Sequence, residues 1–406
     1  MAATQIISRP LYLEKVEAHI GKHIIKVLVG LRRSGKSYLM LSIIERIKQL
    51  NPDANIIYVN KEHYEFDHIR DYHDLQAHFD GLFASGVANY LFVDEIQEID
   101  QFEKCVRNIF SKEMADIHIS GSNAGILSGE LATMLSGRFV EIRVHPLSYG
   151  EFLEFFRRSH STEAFNKYMR QGGMPGLVNI NQEAEPVNDY LKGILSTVLL
   201  KDVVARYNIR NVTFLENLVS FLSGNTGSLV SAKNISDYLK SQQINISPNL
   251  VLDYLAFQCN AYFVNKVRRK DIAGKKMFEV GEKYYFEDVG LRNVVGGFGP
   301  GDINKVLENV VYSHLVIAGY DVHVGRQGVR EVDFVAERRG ETIYVQVCYL
   351  LSGENVIERE FGNLMAIPDN FRKYVVSMDE YRANNTYQGI EHRHIPDFCL
   401  ELTKGI

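Results

Sequence analysis

Gly30-Leu31-Arg32-Arg33-Ser34-Gly35-Lys36-Ser37 matches G-x-x-x-x-G-K-[ST] at every fixed position. The glycines let the backbone curl so that successive N–H groups point at phosphate oxygens; Lys36 has the reach for the β- and γ-phosphates, and Ser37 can ligate Mg²⁺. Arg32, Arg33 and Ser34 occupy the variable positions, and Tyr38 follows directly, so Gly30, Arg32, Arg33, Ser34, Gly35, Lys36, Ser37 and Tyr38 are the candidate nucleotide contacts. For the two arginines, solvent or a neighbouring subunit are alternative partners. A second constellation ends an apolar run: Tyr90-Leu91-Phe92-Val93-Asp94-Glu95. A carboxylate at a strand's C-terminal edge beside a phosphate loop can hold Mg²⁺ through water, which is the expectation for Asp94. Glu95 is then placed to polarise a water as general base. Without the loop upstream, the same pair would read as a strand with a helix-capping Asp.

These residues need a scaffold, and the flanking pattern supplies one. His23 to Val29 reads as a buried strand leading into the loop. Leu39, Met40, Ile43, Ile44 and Ile47 then recur at helical spacing through Leu50. A strand, a glycine loop and a helix N-terminus together make an anion site. Further strands are expected at Ile56–Val59, Ile117–Ser120 and Phe139–Val144, with a helix around Phe102–Phe110. Five apolar strands alternating with helices give an α/β fold, a P-loop NTPase parallel sheet covered on both faces. Ser120-Gly121-Ser122-Asn123 ends the fourth strand, which in additional-strand P-loop ATPases lies between the loop strand and the acidic strand. Asn123, then Ser122, is the candidate to touch the γ-phosphate or the water; plain turn chemistry is the alternative. A helix is expected over Leu127–Leu135, followed by Gly137-Arg138. Arg138 could stabilise transition-state charge in its own subunit or a neighbour's, or be a surface arginine opening a strand. His63, His68, His73 and His78 recur every five residues, but on a helix such steps spray around the axis rather than converge on a metal.

The chain has 406 residues, enough for two to three domains, and its composition, 46% hydrophobic and 23% charged, is that of a globular protein. A net charge of −5 gives no global pull toward nucleic acid, so such binding must be local. Cys105, Cys259, Cys348 and Cys399 form no C-x-x-C pair, which argues against a zinc site or a disulfide framework and suits a reducing cytoplasm. No apolar run approaches membrane-spanning length and no N-terminal signal core is present, so a cytoplasmic protein is expected.

The strand into GLRRSGKS, LFVDEIQ at Leu91–Gln97, ISGSN at Ile119–Asn123, GRF at Gly137–Phe139 and PLSYGEF at Pro146–Phe152 resemble prokaryotic AAA-type P-loop ATPases that carry a C-terminal domain of unknown function. GGMP at Gly172–Pro175 and YYFEDVGLRN at Tyr284–Asn293 extend the resemblance over nearly the whole chain. It implies an ATPase, linked to DNA or mobile elements by inference alone.

Beyond the core, helices are expected over Glu151–Gln171 and Asp189–Tyr207, broken by Gly172–Gly176. A helix at Phe214–Leu222, a Ser231-capped helix, a turn at Ser241–Asn245, a helix opened by Ser247-Pro248 and a hairpin about Ala273-Gly274 follow winged-helix order. Lys266, Arg268, Arg269, Lys270, Lys275 and Lys276 make that hairpin basic, as phosphate-backbone binding to duplex DNA requires, whereas the helix Pro248–Cys259 is poor in cations. A protein-binding winged helix is the alternative. Further on, a helix with Glu308 and strands at Glu331–Ala336 and Ile343–Cys348 resemble a restriction-endonuclease-like domain. Such a site needs Asp, then Glu-x-Lys; here Asp333 stands in place, but Gln346 replaces the Glu and Cys348 the Lys. An amide is a poor Mg²⁺ ligand and a thiol is no ammonium, so the site reads as degenerate unless Glu308 and Glu331 rescue it.

The expected organisation is an ATPase core over 1–150, a helical lid over 151–210, a winged helix over 211–290 and the degenerate nuclease-like domain over 291–406. The expected ligands are ATP and Mg²⁺. Duplex DNA, a protein partner or further copies of the chain are the candidate partners, and no membrane is.

Overall fold

The computed structural model describes residues 7–127, 135, 137–274, 277–380 and 385–404. The chain divides into two compact units, one of Met1–His145 with Asn260–Tyr262 and one of Pro146–Cys259 with Phe263–Ile406.

The first unit is built on a five-stranded sheet: β1 (Ile25–Val29), β2 (Asn55–Asn60), β3 (Asn89–Asp94), β4 (Asp116–Gly121) and β5 (Phe139–Arg143). Their spatial order is β2-β3-β4-β1-β5, and every pairing is parallel. Parallel strands require crossovers, and both faces are then covered, so β1 and most of β3 are buried without alternation. The helices are α1 (Pro10–Glu17), α2 (Lys36–Leu50), α3 (Tyr72–Phe79) and α4 (Phe102–Ser111). Leu39, Met40, Ile43 and Ile47 of α2 form one core with Tyr12 and Val16 of α1, Leu28, Phe92 and Ile142. The expected helix over Leu127–Leu135 lies almost wholly outside the described residues; Ala124–Leu127 is a single 3₁₀ turn.

In the second unit the segment expected as one helix over Glu151–Gln171 is two, α5 (Tyr149–Phe155) and α6 (Thr162–Gln171). The break is local. Arg157 takes φ +49°, and Ser161 caps the new helix by accepting from the Ala164 N–H. Helix α7 (Ala184–Thr197) continues as a π-helical stretch, Val198–Ala205. Three helices follow, α8 (Val212–Gly224), α9 (Ala232–Ser241) and α10 (Pro248–Asn260), then the antiparallel pair β6 (Val264–Asp271) and β7 (Met277–Phe286). Ser231 and Ser247 accept from the Asn234 and Leu250 N–H groups at 3.2 and 3.3 Å, as N-caps do. Next come α11 (Val289–Gly296), α12 (Ile303–Ile317), β8 (Asp321–Gln327), β9 (Arg330–Arg338), β10 (Glu341–Val347), α13 (Glu354–Met365), β11 (Arg372–Ser377), β12 (Thr386–Tyr387), β13 (Ile390–His394) and α14 (Ile395–Thr403).

The strands of this unit form one eight-stranded sheet, β12-β13-β11-β10-β9-β8-β6-β7. Strand β6 pairs in parallel with β8 through Arg269↔Val324, Lys270↔Gly325 and Asp271↔Arg326. The hairpin expected to close a separate domain at residue 290 is therefore part of the C-terminal sheet, and the boundaries placed at 210/211 and 290/291 do not separate compact units. The two distal motifs also meet. Asp288 accepts from the Gly173 N–H at 2.7 Å and the Leu291 N–H at 3.0 Å, and Asn293 donates to Met169 O at 2.9 Å. Gly172 sits at φ +73° with a would-be Cβ colliding with the Asp288 carboxylate, so only glycine fits.

His314 of α12 is fully buried, accepting from the Tyr149 N–H through Nε2 at 2.9 Å, while its Nδ1 lies 2.8 Å from Val310 O. Burial pushes the imidazole down to about 4 from its ordinary 6.5. A depressed native pKa leaves stability intact above the unfolded value and removes it as pH falls toward the native one, so the window is about pH 6.5 to 4. Urea unfolding at pH 7 and at pH 4 is expected to show His314→Gln losing about 3 kcal/mol less than the wild-type chain.

Candidate functional site

The site begins where β1 gives way to α2. Gly30 takes φ +145°, and a side chain there would collide with Val144 O, which closes the turn against the end of β5. Gly35, at φ 101°, is the N-cap of α2 and provides no side-chain cap. The first amides of the helix therefore have no capping side chain, the arrangement that receives an anion. The Ser34 hydroxyl is buried and unpartnered. Lys36 is 4% exposed and folds back, donating from Nζ to Gly30 O at 3.0 Å and Leu31 O at 3.1 Å.

Sheet order brings the acidic pair to the same place. Strand β4 lies between β1 and β3, so the tips of all three end side by side. Asp94 is fully buried, hydrogen-bonded by the Ser120 hydroxyl and by Ser37. Burial pushes its carboxyl up, and those two hydroxyls partly offset the shift. Glu95 follows at φ +54°, ψ +47°, a left-handed conformation that costs energy in a non-glycine residue. Its Oε2 accepts from Ser122 Oγ at 3.0 Å and Gln97 Nε2 at 2.5 Å and lies 3.7 Å from Arg32 Nη2; its Oε1 lies 3.8 Å from Lys36 Nζ. Burial raises the Glu95 carboxyl, but the Lys36 ammonium, the Arg32 guanidinium and the hydrogen bonds from Gln97 and Ser122 outweigh it, and the net shift is downward. Glu95 is thus ionised near neutrality yet fully engaged.

Asn123 accepts from the Gly125 N–H at 2.7 Å through Oδ1, while its Nδ2 is buried with no partner. A buried donor without an acceptor is costly, and an arriving oxygen would relieve it. Three members of this site carried no weight in the local pattern. Arg9 is buried and bridges Ser34 O and His145 O at 2.9 Å each. Glu62 accepts from Arg32 Nη1 at 2.9 Å, and Gln97 holds Glu95. Of these only Gln97 had a signal, as part of LFVDEIQ.

The structure does not bring every candidate here. Arg33, at φ +67°, and Tyr38 are exposed. Arg138 precedes β5, where Phe139 pairs with Ile25 at the start of β1, so it lies at the opposite end of the strands, a strand length of roughly 16 Å from the loop. The reading of Arg138 as a residue of its own subunit's site is corrected accordingly. On β6, Lys266 and Arg268 are exposed, Lys266 lies 3.4 Å from Glu282, and Lys270 is tied to Glu337. Arg269 is partly buried, and Lys275 and Lys276 lie outside the described residues.

The four residues nominated for the nuclease-like site, Glu308 on α12, Asp333 on β9, Gln346 on β10 and Cys348 just after it, do converge. Glu308, Asp333, Gln346 and Cys348 line a cavity of about 490 Å³ with Asn304, Arg359 and Glu360. The Asp333 N–H donates to Gln346 Oε1 at 3.3 Å, and Asp333 Oδ2 accepts from the Val347 N–H at 2.8 Å. Burial, then Glu360, pushes the Cys348 thiol up to about 12, which keeps it protonated and a poor nucleophile near neutrality.

Residues 22–153 match the AAA domain family, and residues 162–302 match a domain of unknown function, DUF8612. A Haemophilus influenzae protein, named only as uncharacterized, is 34% identical over 404 residues, 98% of this chain and 99% of its own. The chain belongs to that protein's family. The Methanocaldococcus jannaschii protein MJ1544, also named only as uncharacterized, is 30% identical over 354 residues, 83% of this chain and 77% of its own. Among solved structures, the Walker-type ATPase PABY2304 of Pyrococcus abyssi superposes with TM-score 0.49 at 15% identity, covering 71% of this chain and 95% of its own. Cdc6p of Pyrobaculum aerophilum does so with TM-score 0.32 at 10% identity, covering 76% and 97%. Resemblances this distant leave function to the site itself. Among the described residues, no helix is long and apolar enough to cross a membrane.

Proposed function

We propose that the chain is a Mg²⁺-dependent ATPase whose catalytic groups are Lys36, Ser37, Asp94, Glu95 and Asn123. One observation carries the reading: Lys36 Nζ lies 3.8 Å from Glu95, so the phosphate loop and the acidic strand tip are a single site. The uncapped start of α2, the unpartnered Ser34 hydroxyl and the unpartnered Asn123 Nδ2 fit a polyphosphate. The adjacent Ser37 hydroxyl and Asp94 carboxylate fit Mg²⁺, Ser37 directly and Asp94 through water. Bound there, the ion would neutralise charge developing on the phosphate oxygens.

The residues then have distinct tasks. Lys36 exchanges the carbonyls of Gly30 and Leu31 for phosphate oxygens. Arg32, already buried in the loop, competes for the same charge. As both cations turn to phosphate, their hold on Glu95 weakens, and its carboxylate can accept a water proton. Asn123 Nδ2 donates to the γ-phosphate or the attacking water.

Isothermal titration with Mg·ATP and a phosphate-release assay test this directly. Binding and slow turnover are expected, and a chain that does neither sinks the proposal. Asn123→Ala is expected to lower kcat about tenfold with little change in KM, because its donor acts on the reacting oxygens.

The tied state of Glu95 also favours a second reading, a nucleotide-gated switch in which hydrolysis only resets the protein. The winged helix proposed over residues 211–290 would bind a protein partner in the switch reading; in the first, duplex DNA would meet it through Lys266 and Arg268, with Arg269 and Lys270 less accessible. Such contacts are to phosphates and therefore blind to sequence. A rise in ATPase rate on adding duplex DNA, lost in Lys266→Ala/Arg268→Ala, supports this; indifference to DNA favours a protein partner. A role for Arg138 in transition-state stabilisation would be in a neighbouring copy's site.

A further inference from the structure

Lys283 of β7 is a buried cation outside the expected nuclease motif. It is 3% exposed, and its Nζ lies 2.9 Å from Glu308 Oε1, 3.0 Å from Glu331 Oε1 and 3.7 Å from Asp333 Oδ1. Tyr285 OH donates to the same Glu308 oxygen at 2.6 Å. Burial by itself would lower the lysine's affinity for its proton; the three carboxylates overturn that and hold it above its ordinary value.

A restriction-endonuclease-like fold implies a divalent cation on these acids, and the residues present do not fit one. Glu308 and Glu331, the two groups able to rescue the motif, are both engaged by Lys283. Gln346 is neutral and faces the Asp333 amide, and the Cys348 thiol stays protonated. Burial, then the charge of Glu308, pushes the Asp333 carboxyl upward against the pull of Lys283. Among the described residues no group of three His, Cys, Asp or Glu is disposed to hold a metal. Nor does Lys283 stand free as a displaced catalytic lysine, because its Nζ is already held by Glu308 and Glu331.

We propose that Lys283 is the permanent cation of this cluster, standing where the fold's divalent ion would stand and making the C-terminal unit independent of metal. The geometry permits the exchange in reverse. Calcium takes oxygens at about 2.3–2.6 Å, so an ion at the Nζ position would need the carboxylates to close in by roughly 0.3–1.4 Å, Asp333 the most. Removing the ammonium leaves three acids crowded together, with a divalent ion as their natural replacement.

The test is thermal melting of the full, nucleotide-free chain in chelator and in millimolar Ca²⁺. The wild-type melting point is expected to be unmoved by Ca²⁺. Lys283→Met is expected to melt roughly 10 °C lower in chelator and to recover at least half of that in Ca²⁺. Adding Asp333→Asn to Lys283→Met should abolish the recovery. A folded Lys283→Met chain indifferent to Ca²⁺ overturns the proposal, as does failure of that chain to fold even when refolded in Ca²⁺. A second measurement needs no weakened protein: Mn²⁺ bound per chain, read by electron paramagnetic resonance, should be equal for wild type and Asp333→Asn. A lower count for Asp333→Asn would show a metal in the wild-type cluster and refute the assignment.

Discussion

Glu95→Gln is expected to lower the ATP turnover rate at least about 100-fold while Mg·ATP affinity stays within about threefold. Gln is isosteric, so the hydrogen bonds from Ser122 and Gln97 have an acceptor and the left-handed backbone at Glu95 is undisturbed. What disappears is the charge able to take a water proton. Single-turnover kinetics with Mg·ATP read the chemical step apart from product release. The variant also separates the two functional readings, since a switch would be held in its ATP-bound state and a motor would stop. The acid limb of the wild-type kcat/KM profile, which reports the free protein, is expected below the ordinary glutamate range, because Lys36, Arg32 and the hydrogen bonds from Gln97 and Ser122 outweigh the burial that raises Glu95. Arg32→Ala removes one of those cations, so its limb should move to higher pH. An unmoved limb would show that Arg32 does not act on Glu95.

Lys36→Ala is expected to weaken Mg·ATP binding at least about 100-fold, by the loss of charge-assisted hydrogen bonds to the phosphates. The same change strips Gly30 O and Leu31 O of their donor and removes the leading cation beside Glu95, so the loop itself loosens. Titration calorimetry reads the binding loss, and circular dichroism must show the fold intact. Undiminished binding would place the nucleotide elsewhere. Lys36→Arg is not expected to rescue, because the planar guanidinium does not fit a space shaped for a compact ammonium.

Both variants fall on residues legible in the sequence, and the reason is physical. The phosphate loop needs its glycines and lysine at fixed spacing because contiguous backbone amides form the cradle. The apolar strand before it and the periodic helix after it are likewise local patterns. Ser231 and Ser247 announced their helices for the same reason. Other features were not legible. Glu151–Gln171 keeps a helical period across a chain reversal, and only Ser161 marks the restart. The basic hairpin read as a separate wing because its strands pair with each other locally, and nothing local shows that β6 also pairs with β8. Arg138 sits in a motif beside other site motifs, yet a strand's length separates it from them.

The sequence by itself determined the phosphate loop, the acidic strand tip and the alternation of strands and helices in the first unit, and it placed a neutral Gln346 and a thiol, Cys348, downstream of Asp333. The tertiary structure alone decided that Arg32 and Lys36 hold Glu95, that Asp288 clasps the Gly172-Gly173 turn, and that Lys283 occupies the acidic cluster of Glu308, Glu331 and Asp333. Local patterns follow from backbone geometry over a few residues. Ion pairs across a sheet depend on strand order and register, which are fixed only when distant segments pack, so a lysine on one strand can take up a role whose motif is written on two others.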